Sequence, residues 1–253
     1  MEAQINCLIE NGLATITFYH PAHNSLPGIL LKELAETISN AGTNKDVKLI
    51  LLKSEGEKTF CAGASFDELS TIVDFETGKR FFLGFANVIL AMKNCPKLIL
   101  GRIHGKAIGG GVGLAAAMDY PLAIKYASIR LSELAVGIGP FVIGPVVERK
   151  MGTAAFQMLA LNPNEWQTAE WAKQHGLFYE VFETIEQLDQ YIKHFIQQLL
   201  QFNPEALLNL KKVFWENTND WEQLLDERAA ISGQLVLSEF SKMAIEKFKR
   251  GDR

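Results

Sequence analysis

The chain is short of cysteine, short of proline, nearly balanced in charge and without a long apolar run. Three cysteines among 253 residues, Cys7, Cys61 and Cys95, are an odd number at no metal-ligand spacing. That excludes a disulfide framework, and they are expected as buried free thiols in a reducing compartment. The eight prolines form no Gly/Pro/Ser-rich tract, so no long linker is expected. A formal charge of −4 and a pI near 5.8 supply no basic face for nucleic acid. No apolar stretch is long enough to cross a bilayer. The opening Met1-Glu2-Ala3-Gln4 lacks the basic and apolar regions of a signal peptide, so the expectation is a cytoplasmic protein without a membrane partner. His20, His23, His104, His175 and His194 are scattered and make no metal-binding pattern, so no metal is expected.

What is present is a large apolar fraction, 48%, in a pattern that changes along the chain. "INCLIE" and "LATITFY" flank Asn11-Gly12, which reads as a tight hairpin turn. "PGILLKELAETISNA" places Leu30, Leu31, Leu34 and Ile38 at helical spacing. "VKLILLKS" and "PKLILGRI" read as buried strands, and "FETGKRFFLGFANVILAMKNC" as a long helix with Phe81, Phe82, Phe85, Val88 and Ile89 inward. "YPLAIKYA" and "SIRLSELAV" read as two further short strands. This alternation predicts an α/β fold with a largely parallel sheet. From about Met151 the pattern is helical, with Gly176 placed as a C-cap and Pro204 in a first turn. "WEQLLDERAAISGQLVLSEFSKMAIEKFKR" reads as amphipathic helix, and the closing "EKFKRGDR" as a solvated basic tail. The organisation expected is an α/β core over 1–195 and a helical region over 196–253.

Two stretches bare the backbone. "IGGGVGLAAAMD" (108–119) follows a strand and opens a helix, and "KTFCAGASFDEL" (58–69) has the same layout with Ala62-Gly63-Ala64. Free N–H groups from two such loops, aimed at one point, make an oxyanion hole, and a helix N-terminus adds partial positive charge. Glu133, in "RLSELAVGIGP", lies between a strand pattern and a Gly/Pro loop, where an acid can project from a strand end into a cleft. Rival readings fit less well. Gly111-x-Gly113-x-x-Ala116 matches a dinucleotide fingerprint, but that motif expects an acid roughly 20 residues on, and Ala127 to Arg130 supplies none. His104 with Ser65 or Ser132 and Asp119 makes a nominal hydrolase set, but no Gly-x-Ser-x-Gly surrounds either serine. His104 is instead expected as a loop histidine bonded to backbone, and Asp119 as an anchor between helix and strand.

At these residues the chain resembles the crotonase, or enoyl-CoA hydratase/isomerase, superfamily. "YHPAHNSL" (19–26) is similar to Asn-Arg-Pro-x-x-x-Asn-Ala-Leu, and "FCAGASFDEL" to Phe-x-Ala-Gly-Ala-Asp-Ile-x-Glu-Leu. "IHGKAIGGGVGLAAAMD" resembles Val-x-Gly-x-Ala-x-Gly-Gly-Gly-x-Glu-Leu-Ala-x-x-x-Asp, and "SELAVGIGP" resembles Pro-Glu-x-x-x-Gly-x-x-Pro. "TAEWAKQHGLFYEVF" and "EFSKMAIEKF" resemble the family's later segments, in the same order. The resemblance implies a core of repeated ββα units and a helical C-terminal region that forms trimers, often paired as hexamers. It implies an acyl-CoA substrate and no cofactor beyond the coenzyme A of that substrate. It places the oxyanion hole at the N–H groups of Ala64 and Gly110, beside Gly109. Ala62, Gly63, Ala64, Ser65 and Phe66 would line the CoA, with Ala22 and Leu26 nearby, Phe141 facing the site and Lys247 reaching a phosphate.

The departures set the expected reaction. Two-acid hydratases of the family carry a glutamate where this chain has Gly113, while the other family acid is kept as Glu133. One acid suits a proton shuttle, which is double-bond isomerisation; hydration divides its work between two. The expectation is therefore an enoyl-CoA isomerase using Glu133. A hydratase, including a branched-chain methylglutaconyl-CoA type, stands as the alternative. Decarboxylation or hydrolysis within the superfamily, and a non-catalytic thioester-binding relative, complete the set.

Overall fold

The computed structural model describes residues 2–250. An antiparallel hairpin, β1 (Gln4–Glu10) and β2 (Leu13–Tyr19), is followed by β3 (Ser25–Leu26) and α1 (Gly28–Thr43). Three strand–strand–helix units come next. The first contains β4 (Leu49–Ser54), β5 (Thr59–Cys61), its extension β6 (Gly63–Ala64), the single turn α2 (Phe66–Leu69) and the long α3 (Phe75–Asn94). The second contains β7 (Leu98–Ile103), β8 (Lys106–Ile108) and α4 (Gly110–Ala117). The third contains β9 (Tyr120–Ile124), β10 (Ser128–Arg130), a 3-10 turn over Glu133–Val136 and α5 (Gly144–Met151). The remainder is α6 (Thr153–Leu161), β11 (Gln167–Thr168), α7 (Ala169–Gln174), β12 (Glu180–Phe182), α8 (Ile185–Leu199), α9 (Pro204–Phe214), α10 (Trp221–Leu235) and α11 (Glu239–Arg250).

The first strand of each unit enters one sheet and the second strand enters another. The large sheet runs β1-β2-β4-β7-β9-β12, parallel from β2 onward. The small sheet runs β11-β10-β8-β5, with β10, β8 and β5 parallel. This is the repeated ββα core expected from the sequence. Strands β4 and β7 read as apolar runs because both of their faces are buried. Helix α4 is buried at all eight positions, which is why its glycines and alanines show no polar stripe. The hairpin turn is as expected: Asn11 (φ 50°) and Gly12 (φ 85°) both take the left-handed conformation that such a turn requires.

The structure corrects several local readings. Cys7 is exposed, because it lies on β1 at the sheet edge, while Cys61 and Cys95 are buried. The "SIRLSELAV" strand stops at Arg130, and its second half coils into the 3-10 turn. The last helical pattern breaks at residues 236–238 into α10 and α11, where the Ser238 hydroxyl accepts the Ser241 N–H at 3.2 Å. The basic tail continues as α11 to Arg250, and residues 251–253 lie outside the described part. No helix among the described residues is long and apolar enough to cross a membrane.

Two buried polar groups behave differently. Asp119 ties β7 to α9 and its C-cap: it accepts the Ile99 N–H at 2.7 Å, the Lys211 ammonium at 2.6 Å and the Trp215 indole N–H at 3.1 Å. His104, in the turn between β7 and β8, is 1% exposed, and neither ring nitrogen meets a hydrogen-bond partner among the described residues. It is therefore not the backbone-bonded loop histidine expected from the sequence. Burial first, and the Arg102 charge second, push its pKa down from 6.5 to about 4. The unfolded chain takes up this proton below about pH 6.5 and the fold only near pH 4, so stability falls as pH falls through that window. The contribution is about 2 kcal/mol lost between pH 7 and pH 5. Urea unfolding at the two pH values is expected to show a smaller loss in His104→Leu than in the wild type; equal losses would contradict it.

Candidate active site

A cavity of about 90 Å³ lies where the two bare-backbone loops meet the 3-10 turn. Its walls are Ala62, Gly63, Ala64 and Phe66 after β5, Phe81, Phe82 and Phe85 from α3, and Gly109 and Gly110 at the start of α4. Ser132, Glu133 and Val136 come from the turn, residues Ile138 to Ile143 from the loop before α5, and Ser232 from α10. Among the described residues five phenylalanines line it, and Glu133 is its only charged residue.

Local structure brings these groups together. Gly109 donates its N–H to Arg130 O at 2.9 Å, tying the glycine loop to the end of β10 three residues before Glu133. Gly109 has φ 51° and ψ −118°, a backbone state that side chains resist. A Cβ built there would lie 2.7 Å from Glu133 Oε1, so the carboxylate rests against bare backbone. Gly110 is the first residue of α4, and its N–H has no carbonyl one turn back within the helix to accept it. A Cβ on Gly110 would enter the Phe85 ring. The other loop is carried beside it: a Cβ on Gly63 would lie 3.4 Å from Gly110 N, and β3 pairs with β6, setting Ser25 opposite Gly63 and Leu26 opposite Ala64.

Glu133 opens the 3-10 turn instead of projecting from a strand end. Its Oε2 is buried and meets no hydrogen-bond partner among the described residues. Burial in this apolar wall raises its pKa from 4.5 to about 7. An acid so placed exchanges a proton near neutrality.

The expected site residues divide. Glu133, Ala62, Gly63, Ala64, Phe66, Gly109, Gly110 and Phe141 share the cavity wall. Ser65 is buried and caps α2, accepting the Glu68 N–H at 3.4 Å. Leu26 is a core residue, and Ala22 lies on an exposed turn where its N–H donates to His20 Nδ1 at 3.2 Å. Lys247 is exposed on α11, away from the cavity wall; its neighbour Phe248 stacks on Phe66 at 4.2 Å, and Lys249 donates to Ser70 Oγ at 2.8 Å. Gly113 is also outside the cavity wall. A Cβ there would lie 2.5 Å from Ile143 Cγ2 and 2.8 Å from Ile143 Cβ. The space beside Gly113 is thus filled with hydrocarbon, and it is Ile143 that faces the cavity. Ile143 and Ser232 went unmarked in the sequence because neither belongs to a motif. The one available signal was a serine beside a glycine in the apolar run "AAISGQLV".

The cavity is apolar, and it holds one acid with a pKa near neutrality beside the first turn of the buried α4. A sequence model described as enoyl-CoA hydratase/isomerase matches residues 8–250, and the chain belongs to that family. It is 26% identical over 246 residues to a Bacillus subtilis protein named "Probable enoyl-CoA hydratase", covering 96% of this chain and 95% of that one. It is 28% identical over 236 residues to the peroxisomal Δ(3,5)-Δ(2,4)-dienoyl-CoA isomerase of Arabidopsis thaliana, covering 87% and 83%. The fold is similar to the crystal structure of an enoyl-CoA hydratase from Bacillus halodurans, with a TM-score of 0.89, 22% identity and coverage of 96% and 98%.

The contact at Gly113 makes a prediction. Gly113→Glu forces a larger, ionisable side chain against Ile143, so its melting temperature is expected to fall by about 5 °C or more. Adding Ile143→Ala is expected to recover part of that loss in the same thermal melt. No recovery would mean that Ile143 is not what fills the space.

Proposed function

We propose that the protein is an acyl-CoA enzyme that moves a double bond by a single-acid proton shuttle. The observation that carries this reading is Glu133: it is the one ionisable group of an apolar cavity, with its pKa raised to about 7. The Ala64 and Gly110 N–H groups would hold the thioester oxygen. As Glu133 removes a proton from the acyl chain, negative charge gathers on that oxygen, where two preorganised donors and the α4 terminus stabilise it. Glu133 then returns the proton to a carbon two positions along, and the double bond has moved with no net change in composition. The reaction asks for no cofactor; coenzyme A arrives with the substrate. The narrow cavity supports a short acyl group.

Hydration is the second reading, favoured by the name of the Bacillus subtilis relative. It needs a group that holds water opposite Glu133, and the wall nearest Gly113 is the apolar Ile143. We also propose a homotrimer or a pair of trimers, in the cytoplasm. Leu210, Val213 and Phe214 on α9 and Phe240 and Met243 on α11 are exposed, which supports self-association. A non-catalytic thioester-binding role is the third reading.

Purified protein incubated with short 2-enoyl- and 3-enoyl-CoAs separates the three. A double-bond shift without mass change is expected; a gain of one water means hydration, and tight binding without turnover means a binding protein. Glu133→Gln is expected to lower kcat/KM by about a hundredfold or more while CoA-ester binding persists. Full activity in that variant would sink the assignment. In the wild type the base form of Glu133 is needed, so kcat/KM is expected to rise with pH up to about 7 and flatten above it. A rate that is flat from pH 5.5 to 8 would remove Glu133 as the base.

A further inference from the structure

One cavity residue has no part in the shuttle. Ser232 sits on α10, far along the chain from both loops, and is 1% exposed. It reaches the wall because α10 and α3 cross at glycines: a Cβ on Gly78 would lie 2.9 Å from Gly233 O, and one on Gly233 would lie 2.6 Å from Lys79 N. That approach, possible only without side chains, draws Ser232 in beside the α3 phenylalanines. Among the described residues its hydroxyl makes no hydrogen bond, neither to a side chain nor to the carbonyl one turn back, although Ser39 makes that bond to Ala35 in α1, and Oγ is not sealed from solvent as Glu133 Oε2 is. A hydroxyl open to an apolar cavity is free to meet water there; a substrate chain that displaces that water without offering a partner leaves it unpaired, which is costly, and a chain that brings a partner avoids that cost.

Resting on the acyl-CoA reading above, we propose that Ser232 selects acyl groups carrying an uncharged oxygen, a hydroxyl or a carbonyl, beyond the reacting double bond. A hydroxyl both donates and accepts, so it pairs with either. The charge of the wall narrows the class. No described lining residue is cationic, so a carboxylate on the acyl chain meets no counter-charge, and it meets a like charge whenever Glu133 is ionised. Unsubstituted chains leave Ser232 unpaired, and acidic chains are repelled. Neutral oxygenated chains satisfy it.

The test compares three short 3-enoyl-CoAs of equal chain length: unsubstituted, hydroxylated beyond the double bond, and ending in a carboxylate. In the wild type the hydroxylated substrate is expected to exceed the unsubstituted one by about tenfold in kcat/KM, with the carboxylate lowest. In Ser232→Ala the ratio of hydroxylated to unsubstituted is expected to fall to near one. A ratio near one in the wild type, or one that Ser232→Ala leaves unchanged, overturns the proposal, and a merely structural serine would not move it. The same ratio is measured as dissociation constants in Glu133→Gln and in Glu133→Gln/Ser232→Ala. If the wild type turns over none of the esters, the proton-shuttle reading fails, while the binding ratio still decides the role of Ser232.

Discussion

The site depends on one close approach, that of the Glu133 carboxylate to the bare backbone at Gly109. Everything near it is arranged so that two pieces of main chain and one acid occupy a space that side chains would fill. Gly109 takes a backbone state suited to glycine, and the hydrogen bond from its N–H to Arg130 O fixes where the chain resumes toward Glu133. The following residue, Gly110, opens a helix buried along its whole length and itself lines the acid's cavity. The glycines that look wasteful in the sequence are therefore steric requirements, each set by a specific neighbour: Glu133, Phe85, Cys61 or Ile143.

Burial then decides the chemistry. A carboxylic acid in water is ionised well below neutrality; lined by phenylalanines and missing a partner at Oε2, Glu133 is pushed to about 7. The same apolar wall limits what else can happen. Ile143 occupies the ground beside Gly113, so the cavity has one proton-handling group and not two. The α10–α3 crossing adds the third ingredient, a hydroxyl carried in from the far end of the chain. On the reading proposed here, reaction type and substrate choice rest on different elements: core loops for the first, a C-terminal helix for the second.

Much of this was legible before folding was considered. The strand–helix alternation marked the parallel core because buried strands must be apolar on both faces. Ala62-Gly63-Ala64 and the glycine cluster marked the loops because small residues leave a distinctive pattern. Glu133 stood out as an acid among apolar neighbours. Other features left no such trace. A 3-10 turn and a strand end share the apolar character of "RLSELAV", so the local conformation at Glu133 was misread. Gly113 belonged to a motif, yet its role is packing; what fills its space comes from residue 143. Ser65 stands where the family motif has Asp and proves to be a helix cap, and Lys247 lies on the exposed side of α11.

The sequence by itself determined the family, the two bare-backbone loops and the identity of the single acid, because each is a matter of which residue types stand at which spacing. Tertiary structure alone decided that Oε2 of the acid lacks a partner among the described residues and that its pKa is raised, that Ile143 closes the place beside Gly113, and that Ser232 joins the cavity wall. Those are properties of distance and burial between segments 20 to 150 residues apart, and linear order carries no record of them.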